Sequence, residues 1–246
     1  GVPQEDRYQL IKWSNAISNA DDPNYATSGA DFYRTLAEMN EYFGEAWQER
    51  KTRVGTEQGA GDDLIAMLAQ GPTTSEMDAK QLVGNMVLLM VGGNDTTRNS
   101  ITGSVLALNE FPQQYDKLRE NPALLRSMVP EVIRWQTPLI SMRRTAVCDF
   151  ELHGQTIREG DMVVMWYLSG NRDERAIDQP NAFIIDRARP REHLSFGYGV
   201  HRCLGNRLAE MQLRVMWEEI MKRFKHIEVV ADPVRASSTV FNAIQS

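Results

Sequence analysis

The chain has 246 residues, 42% of them apolar and 24% charged, with a formal net charge of −6; that length suffices for one large domain or two small ones around a substantial core. The acidic balance excludes nonspecific nucleic-acid binding, which needs basic surface to neutralise phosphates. Two cysteines, no cationic apolar leader and no apolar run near the roughly 20 residues that span a bilayer predict a protein of a reducing cytoplasm without a transmembrane segment.

Up to about Gly71 the pattern is helical, with apolar residues three and four apart in Phe32, Leu36, Met39, Phe43 and Trp47 and again in Leu64, Ile65, Met67 and Leu68. Gly55 to Gly61 reads as the loop between them. Pro72-Thr73-Thr74-Ser75-Glu76 offers capping hydroxyls and first-turn acid, and no proline recurs until Pro112. The interval predicts one long helix over about 74–110, on the order of 50 Å at 1.5 Å per residue. Inside it lies Gly92-Gly93-Asn94-Asp95-Thr96-Thr97, after the apolar run Met86 to Met90. On the residues alone, the two glycines suit a C-cap, with Asp95 or Thr96 capping a second helix.

Shorter helices are expected over Gln113 to Glu120 and Ala123 to Trp135. From Ser141 to Tyr167 the pattern turns β-like in Thr145-Ala146-Val147, Phe150-Glu151-Leu152 and Met162 to Trp166, broken at His153-Gly154 and Gly160-Asp161. That gives one small sheet inside a helical protein. Ser169 to Ser195 reads as an ordered loop region, Leu204 to Phe224 as an amphipathic helix, and Ser238 to Ile244 as a strand. There is no internal repeat. A start at Gly1 without an initiator Met, and an end just past that strand, predict a piece of a longer protein.

The most specific stretch is Phe196-Gly197-Tyr198-Gly199-Val200-His201-Arg202-Cys203-Leu204-Gly205. The glycines permit positive φ and close backbone approach, and Cys203 sits where a loop turns into a helix, whose N-terminus favours a thiolate. Several readings compete: a small buried cysteine, a nucleophile assisted by His201, or half of a zinc site. Zinc wants three or four ligands, and neither Cys148 nor the other histidines stand at ligand spacing.

Those ten residues resemble the haem-binding loop of the cytochromes P-450, Phe-Gly-x-Gly-x-His/Arg-x-Cys-x-Gly. The resemblance covers essentially the whole chain and implies a mainly α fold with a small β-sheet, incomplete here: residues 1–246 would form a partial P-450 domain lacking its N-terminal half and final strand. It implies haem b with Cys203 as axial thiolate, Phe196, Gly197 and Gly205 shaping the loop, and His201 reaching a propionate. Arg144, in Arg143-Arg144-Thr145-Ala146, corresponds to the strand arginine that pairs with a propionate. Glu131 and Arg134, an exposed i,i+3 pair when read alone, correspond to the Glu-x-x-Arg pair buried behind the haem. The family often has a basic residue before the Phe of the following meander, where this chain has Asn181-Ala182-Phe183, so Arg187 or a backbone carbonyl is expected to substitute.

By the same resemblance, residues 92–97 lie inside one continuous helix across the haem face. Gly92 and Gly93 make room for O2, Thr96 hydrogen-bonds the oxygen being activated, and Asp95 relays protons. Leu89, Gly92, Leu139 and Ile140 become candidates for the substrate pocket. Gly92 to Ser100, Ile133 to Leu139 and Asp186 to Phe196 resemble the bacterial alkane and fatty-acid terminal hydroxylases. That implies ω-hydroxylation of a medium-chain alkane or fatty acid with O2, and electrons from NAD(P)H through a ferredoxin reductase and a ferredoxin; a terpenoid hydroxylase is the nearest alternative. The residues give an independent hint of an acidic partner, since Asp186 to Arg207 holds Arg187, Arg189, Arg191, Arg202 and Arg207 against Asp186 and Glu192. Two other classes remain open: a thiol enzyme using Cys203 and His201, and a non-enzymatic helical binding domain.

Overall fold

The computed structural model describes residues 1–20, 22 and 29–244, so the part of the expected helical stretch that falls on 21 and 23–28 lies outside the described residues. These residues form two compact units, 1–95 and 96–246.

In the first unit, α1 (Arg7–Ser18), α2 (Gly29–Arg53) and α3 (Leu64–Gln70) follow the apolar spacing. Met39, Phe43 and Trp47, four residues apart, are the buried stripe of α2. They meet Trp13, Ile65, Ala69, Leu82 and Met86 in one core, where burying each large side chain contributes about 1.5–3 kcal/mol. Asp63 caps α3 by accepting from the Ile65 and Ala66 amides at 2.9 and 3.0 Å.

The long helix, α4 (Ala79–Glu110), begins five residues later than expected and runs through Gly92-Gly93. Its start is set by Asp78 and Gln81, which bond each other's amides at 2.8 and 3.0 Å in a reciprocal capping box. The hydroxyls expected to cap it close the preceding helix instead: Thr74 Oγ1 donates to the Leu68 carbonyl at 2.6 Å. The boundary between the two units falls inside α4, between Asp95 and Thr96.

In the second unit α5 (Pro112–Glu120) starts on a proline, which needs no amide partner there. A 3-10 turn at Pro122–Leu124 leads into α6 (Leu125–Gln136), which ends at Thr137 in the left-handed region, φ 42°. α6 packs against α8 (Asn206–Arg223) over a core of Leu118, Met128, Val132, Phe183, Leu213 and Trp217. Trp217 Nε1 donates to Ser104 Oγ of α4 at 2.7 Å.

The β structure differs from the single sheet expected. β1 (Ser141–Thr145) pairs antiparallel with β4 (Met162–Trp166), while β2 (Phe150–Leu152) and β3 (Gln155–Ile157) form a separate hairpin. The hairpin turns at His153-Gly154, both at positive φ (51° and 77°), as a two-residue turn matched to strand twist requires. Only Thr145 of the expected Thr145–Val147 strand joins the ladder. Nor is Ser238 to Ile244 a strand: it makes isolated bridges, Leu139 with Phe241 and Arg235 with Ile244. Its neighbour is Pro138, which has no amide to donate, and Asn242 N bonds the Pro138 carbonyl at 3.0 Å instead of extending a ladder. The short α7 (Tyr167–Gly170) then leads into a long aperiodic stretch that reaches the cysteine loop.

Candidate functional site

The site in the second unit is built outward from α6. Glu131 and Arg134 are 0% and 1% exposed, and the i,i+3 spacing sets them as a bidentate pair: Arg134 Nε and Nη2 donate to Glu131 at 2.7 and 2.8 Å. Arg187 is the third member, donating from Nε to Glu131 Oε2 at 2.9 Å. Two guanidiniums on one carboxylate leave a buried positive charge, and backbone carbonyls compensate it. Arg134 donates to the carbonyls of Asn171, Pro180 and Ala182 at 2.8–3.0 Å. Arg187 donates to Asp178, Gln179 and Ala182, and the Ile184 amide donates to Glu131 Oε1 at 2.9 Å. These bonds hold a segment that has no ladder of its own. Both substitutes named for the third partner, Arg187 and backbone carbonyls, are therefore present.

A second buried network joins α6 to the loop. Asn171 Nδ2 donates to Thr137 Oγ1 and Ser195 Oγ, both at 2.8 Å, and Asn171 Oδ1 accepts from the Leu194 amide at 2.6 Å. Ser195 Oγ donates to the Ile133 carbonyl at 2.7 Å. Arg172 lies over the Trp135 ring at 4.3 Å and donates to the Trp135 carbonyl at 2.9 Å; burial, and then the Arg134 charge, lower its pKa to about 10. The sequence reading missed Asn171, Arg172 and Ser195. Their partners lie 23 to 62 residues away in sequence, so no local spacing marks them.

The Cys203 loop follows directly. Gly197 and Gly199 take φ of 67° and 72°, which glycine adopts at no steric cost. A Cβ on Gly197 would stand 3.2 Å from Tyr167 Oη. The Gly197 amide donates to the Leu194 carbonyl at 2.7 Å and the Cys203 amide to the Phe196 carbonyl at 2.8 Å, which closes the loop on itself. Phe196 is half-buried against the core of the second unit. His201 lies in the 3-10 turn Gly199–His201, and Gly205 is the N-cap residue of α8. Cys203 itself is exposed, amid apolar Val200 and Leu204, 96% and 93% exposed.

This excludes the buried-cysteine reading: the thiol is presented, not packed. Among the described residues His201 makes no hydrogen bond to Cys203, and no three His, Cys, Asp or Glu side chains cluster at metal-binding distance. A single accessible sulfur on a backbone-braced loop, just before a helix N-terminus, fits thiolate ligation of a haem. On β1, Arg144 is half-buried, its Nη1 donates to the Arg143 carbonyl at 2.9 Å, and it has no ion pair among the described residues, which suits an anionic propionate.

The arginine patch needs correction. Arg187 is internal, as above. Arg191 pairs with Glu210 at 2.8 Å and Arg189 with Glu192 at 2.9 Å on the surface, while Lys117 takes Asp186 at 2.6 Å. Arg202 and Arg207 are exposed, and Arg207 lines a surface cleft of about 600 Å³ with Arg126, Arg191, Arg214 and Glu210. His193, also missed by the sequence reading, packs at a tilt against Phe196 with ring centroids 5.4 Å apart, and burial pushes its pKa down to about 4.

Of the remaining site residues, Thr96, Leu139 and Ile140 belong to the second unit and are half-buried; the Ile140 amide donates to the Val240 carbonyl at 2.7 Å. Leu89, Gly92 and Asp95 belong to the first. Leu89 packs on the core of that unit, and a Cβ on Gly92 would meet nothing within 4 Å. Asp95 is 2% exposed and its Oδ2 accepts hydrogen bonds from the hydroxyls of Ser14 and Ser18. Those serines carried a legible signal, four residues apart on one face of α1.

The sequence model of one family, described as Cytochrome P450, matches residues 22–240. The chain is 37% identical over its full length to linalool 8-monooxygenase of Pseudomonas putida, covering 59% of that protein. It is 33% identical to a methyl-branched lipid omega-hydroxylase of Mycobacterium tuberculosis, covering 56% of it. Among solved structures, Cytochrome P450-153 from Novosphingobium aromaticivorans superposes with a TM-score of 0.87 at 38% identity, over 97% of this chain and 57% of that one. A Mycobacterium marinum cytochrome P450 in complex with pseudoionone gives 0.91 at 35% identity, over 100% and 59%. The chain thus spans somewhat over half the length of the relatives it matches. No helix among the described residues is long and apolar enough to cross a membrane.

Proposed function

The chain belongs to the cytochrome P450 family, and we propose that it forms part of a haem-thiolate monooxygenase that hydroxylates the terminal carbon of a medium-chain alkane or fatty acid. Residues 1–246 are read as one partial haem domain. The observation that carries this reading is the exposed Cys203 sulfur on the braced loop Phe196 to Gly205.

The thiolate of Cys203 would hold the haem iron, on a loop that the positive φ of Gly197 and Gly199 lets close on itself. Arg144 and His201 supply cationic and hydrogen-bonding partners for the propionates. When bound, the haem supplies insertion of one atom of O2 into a C–H bond and reduction of the other to water, with electron donation from sulfur favouring O–O cleavage. Thr96 offers a hydroxyl to hydrogen-bond at the reacting oxygen, and Asp95 holds and moves the proton that the reduction consumes. Leu89 and Gly92 in the first unit, and separately Leu139 and Ile140 in the second, are proposed as substrate-contacting residues, their apolar character suited to a hydrocarbon chain.

Electrons are proposed to come from NAD(P)H through a ferredoxin reductase and a ferredoxin, in the cytoplasm. An acidic carrier suits the exposed cations Arg202 and Arg207, the latter sharing a cleft with Arg126 and Arg214. A second reading, hydroxylation of a terpenoid, is favoured by the linalool relative and by the structure solved with pseudoionone.

The test uses the full-length protein expressed with a haem precursor. Reduced and exposed to CO, it is expected to show the red-shifted Soret band of thiolate ligation, and Cys203→Ser is expected to lose that band. A folded but colourless protein overturns the reading. Product analysis with octane, a fatty acid and linalool then separates the two substrate classes.

A further inference from the structure

The proposed acid, Asp95, is not open to water. At 2% exposure it exchanges protons only through groups that it touches, and two of these are the hydroxyls of Ser14 and Ser18. Both donate to the same oxygen, Oδ2, so turning the carboxyl breaks two hydrogen bonds at once. The serines lie four residues apart and share one face of α1. They are 0% and 7% exposed, so their hydroxyls stand in a fixed setting and not in solvent. Their helix is itself anchored beside Ser14: Trp13 is buried, packs edge-on against Tyr42 at 5.5 Å and tilted against Phe43 at 6.1 Å, both of α2, and its Nε1 donates to Glu38 at 3.1 Å. A serine hydroxyl is donor and acceptor together, so the groups that orient the carboxyl are also able to pass a proton to it.

We propose that Ser14 and Ser18 are positioning residues for Asp95, holding its carboxyl in the orientation from which it delivers protons. This rests on the reading of Asp95 as the proton-relaying acid. A positioned acid works only within hydrogen-bond reach of its target, so loosening it slows the proton-dependent step and diverts reducing equivalents to peroxide.

The test compares full-length holoprotein carrying Ser14→Ala, Ser18→Ala, both, Ser18→Thr or Asp95→Asn. The first readout needs no turnover: the infrared carboxyl band of the ferric protein, assigned by its loss in Asp95→Asn, is expected to shift in the double alanine variant and to stay in place in Ser18→Thr, which keeps a hydroxyl. The second is the share of NAD(P)H consumed that appears as peroxide. The double variant is expected to slow proton delivery about tenfold, the scale of losing a hydrogen bond to a charged group, with a larger solvent deuterium isotope effect and an unchanged CO-bound Soret band. If Ser14→Ala does not fold, Ser18→Ala carries the same two readings alone. An unmoved band, or unaltered coupling in the serine variants while Asp95→Asn uncouples, overturns the positioning role and leaves the monooxygenase reading intact. If Asp95→Asn itself leaves coupling unchanged, both the acid assignment and this inference fall.

Discussion

Two groups of arginines in the second unit do opposite work. Arg134 and Arg187 are buried on Glu131, with carbonyls of Asn171, Pro180 and Ala182 among their acceptors. Arg189, Arg191, Arg202 and Arg207 are exposed, and two of them carry only surface ion pairs. A count of charges makes Arg187 and Arg189 equivalent. Burial separates them: inside, the cost of desolvating a charge demands that every donor be met, so the guanidinium becomes a scaffold for irregular backbone. Outside, the same group is screened, contributes little to stability and is free to steer a partner.

The sharpest way to break this contrast is Glu131→Gln, which leaves two buried guanidiniums without their carboxylate. We expect a loss of about 3–5 kcal/mol, read as a lower urea midpoint. A change no larger than that of a surface substitution would show that the network is not a scaffold. An intermediate effect is expected at His193. Its folded-state pKa of about 4 lies below the ordinary value near 6.5, so the unfolded chain binds more protons between those values. Stability contributed by neutral His193 is therefore complete above about pH 6.5 and is lost as pH falls towards 4. The size is on the order of 1–3 kcal/mol, and His193→Gln is expected to flatten that part of the urea-stability profile. The smallest effect on stability is expected for Arg202→Glu with Arg207→Glu, which should leave the urea midpoint in place. Reduction by the proposed ferredoxin should nevertheless fall severalfold at low salt and lose most of its salt dependence. Unchanged reduction kinetics would remove the outer arginines from docking.

Motifs with fixed local spacing were the legible part of the site. Phe196 to Gly205 marked the loop, and the i,i+3 pairing of Glu131 with Arg134 marked the ion pair, because each depends on neighbours in sequence. Capping was only half legible: Thr74 and Ser75 are good caps by composition, yet Asp78 with Gln81 starts α4 because Thr74 is taken by the Leu68 carbonyl. The β region misled for a similar reason. Alternation in 141–166 marks extended backbone, but which strand finds which partner depends on where the His153-Gly154 turn and Pro138 interrupt the ladder.

By itself the sequence determined that the chain is mainly helical and that Cys203 sits on a glycine-braced loop before a helix; the acid, hydroxyl and arginine proposed to serve it came from resemblance to the family. Only the tertiary structure decided that Arg187 is the third partner of Glu131, that Asn171 ties α6 to the loop, and that Ser14 and Ser18 hold Asp95. Those contacts join residues 23 to 81 positions apart in the chain, and burial, which no local spacing encodes, makes each donor find its acceptor.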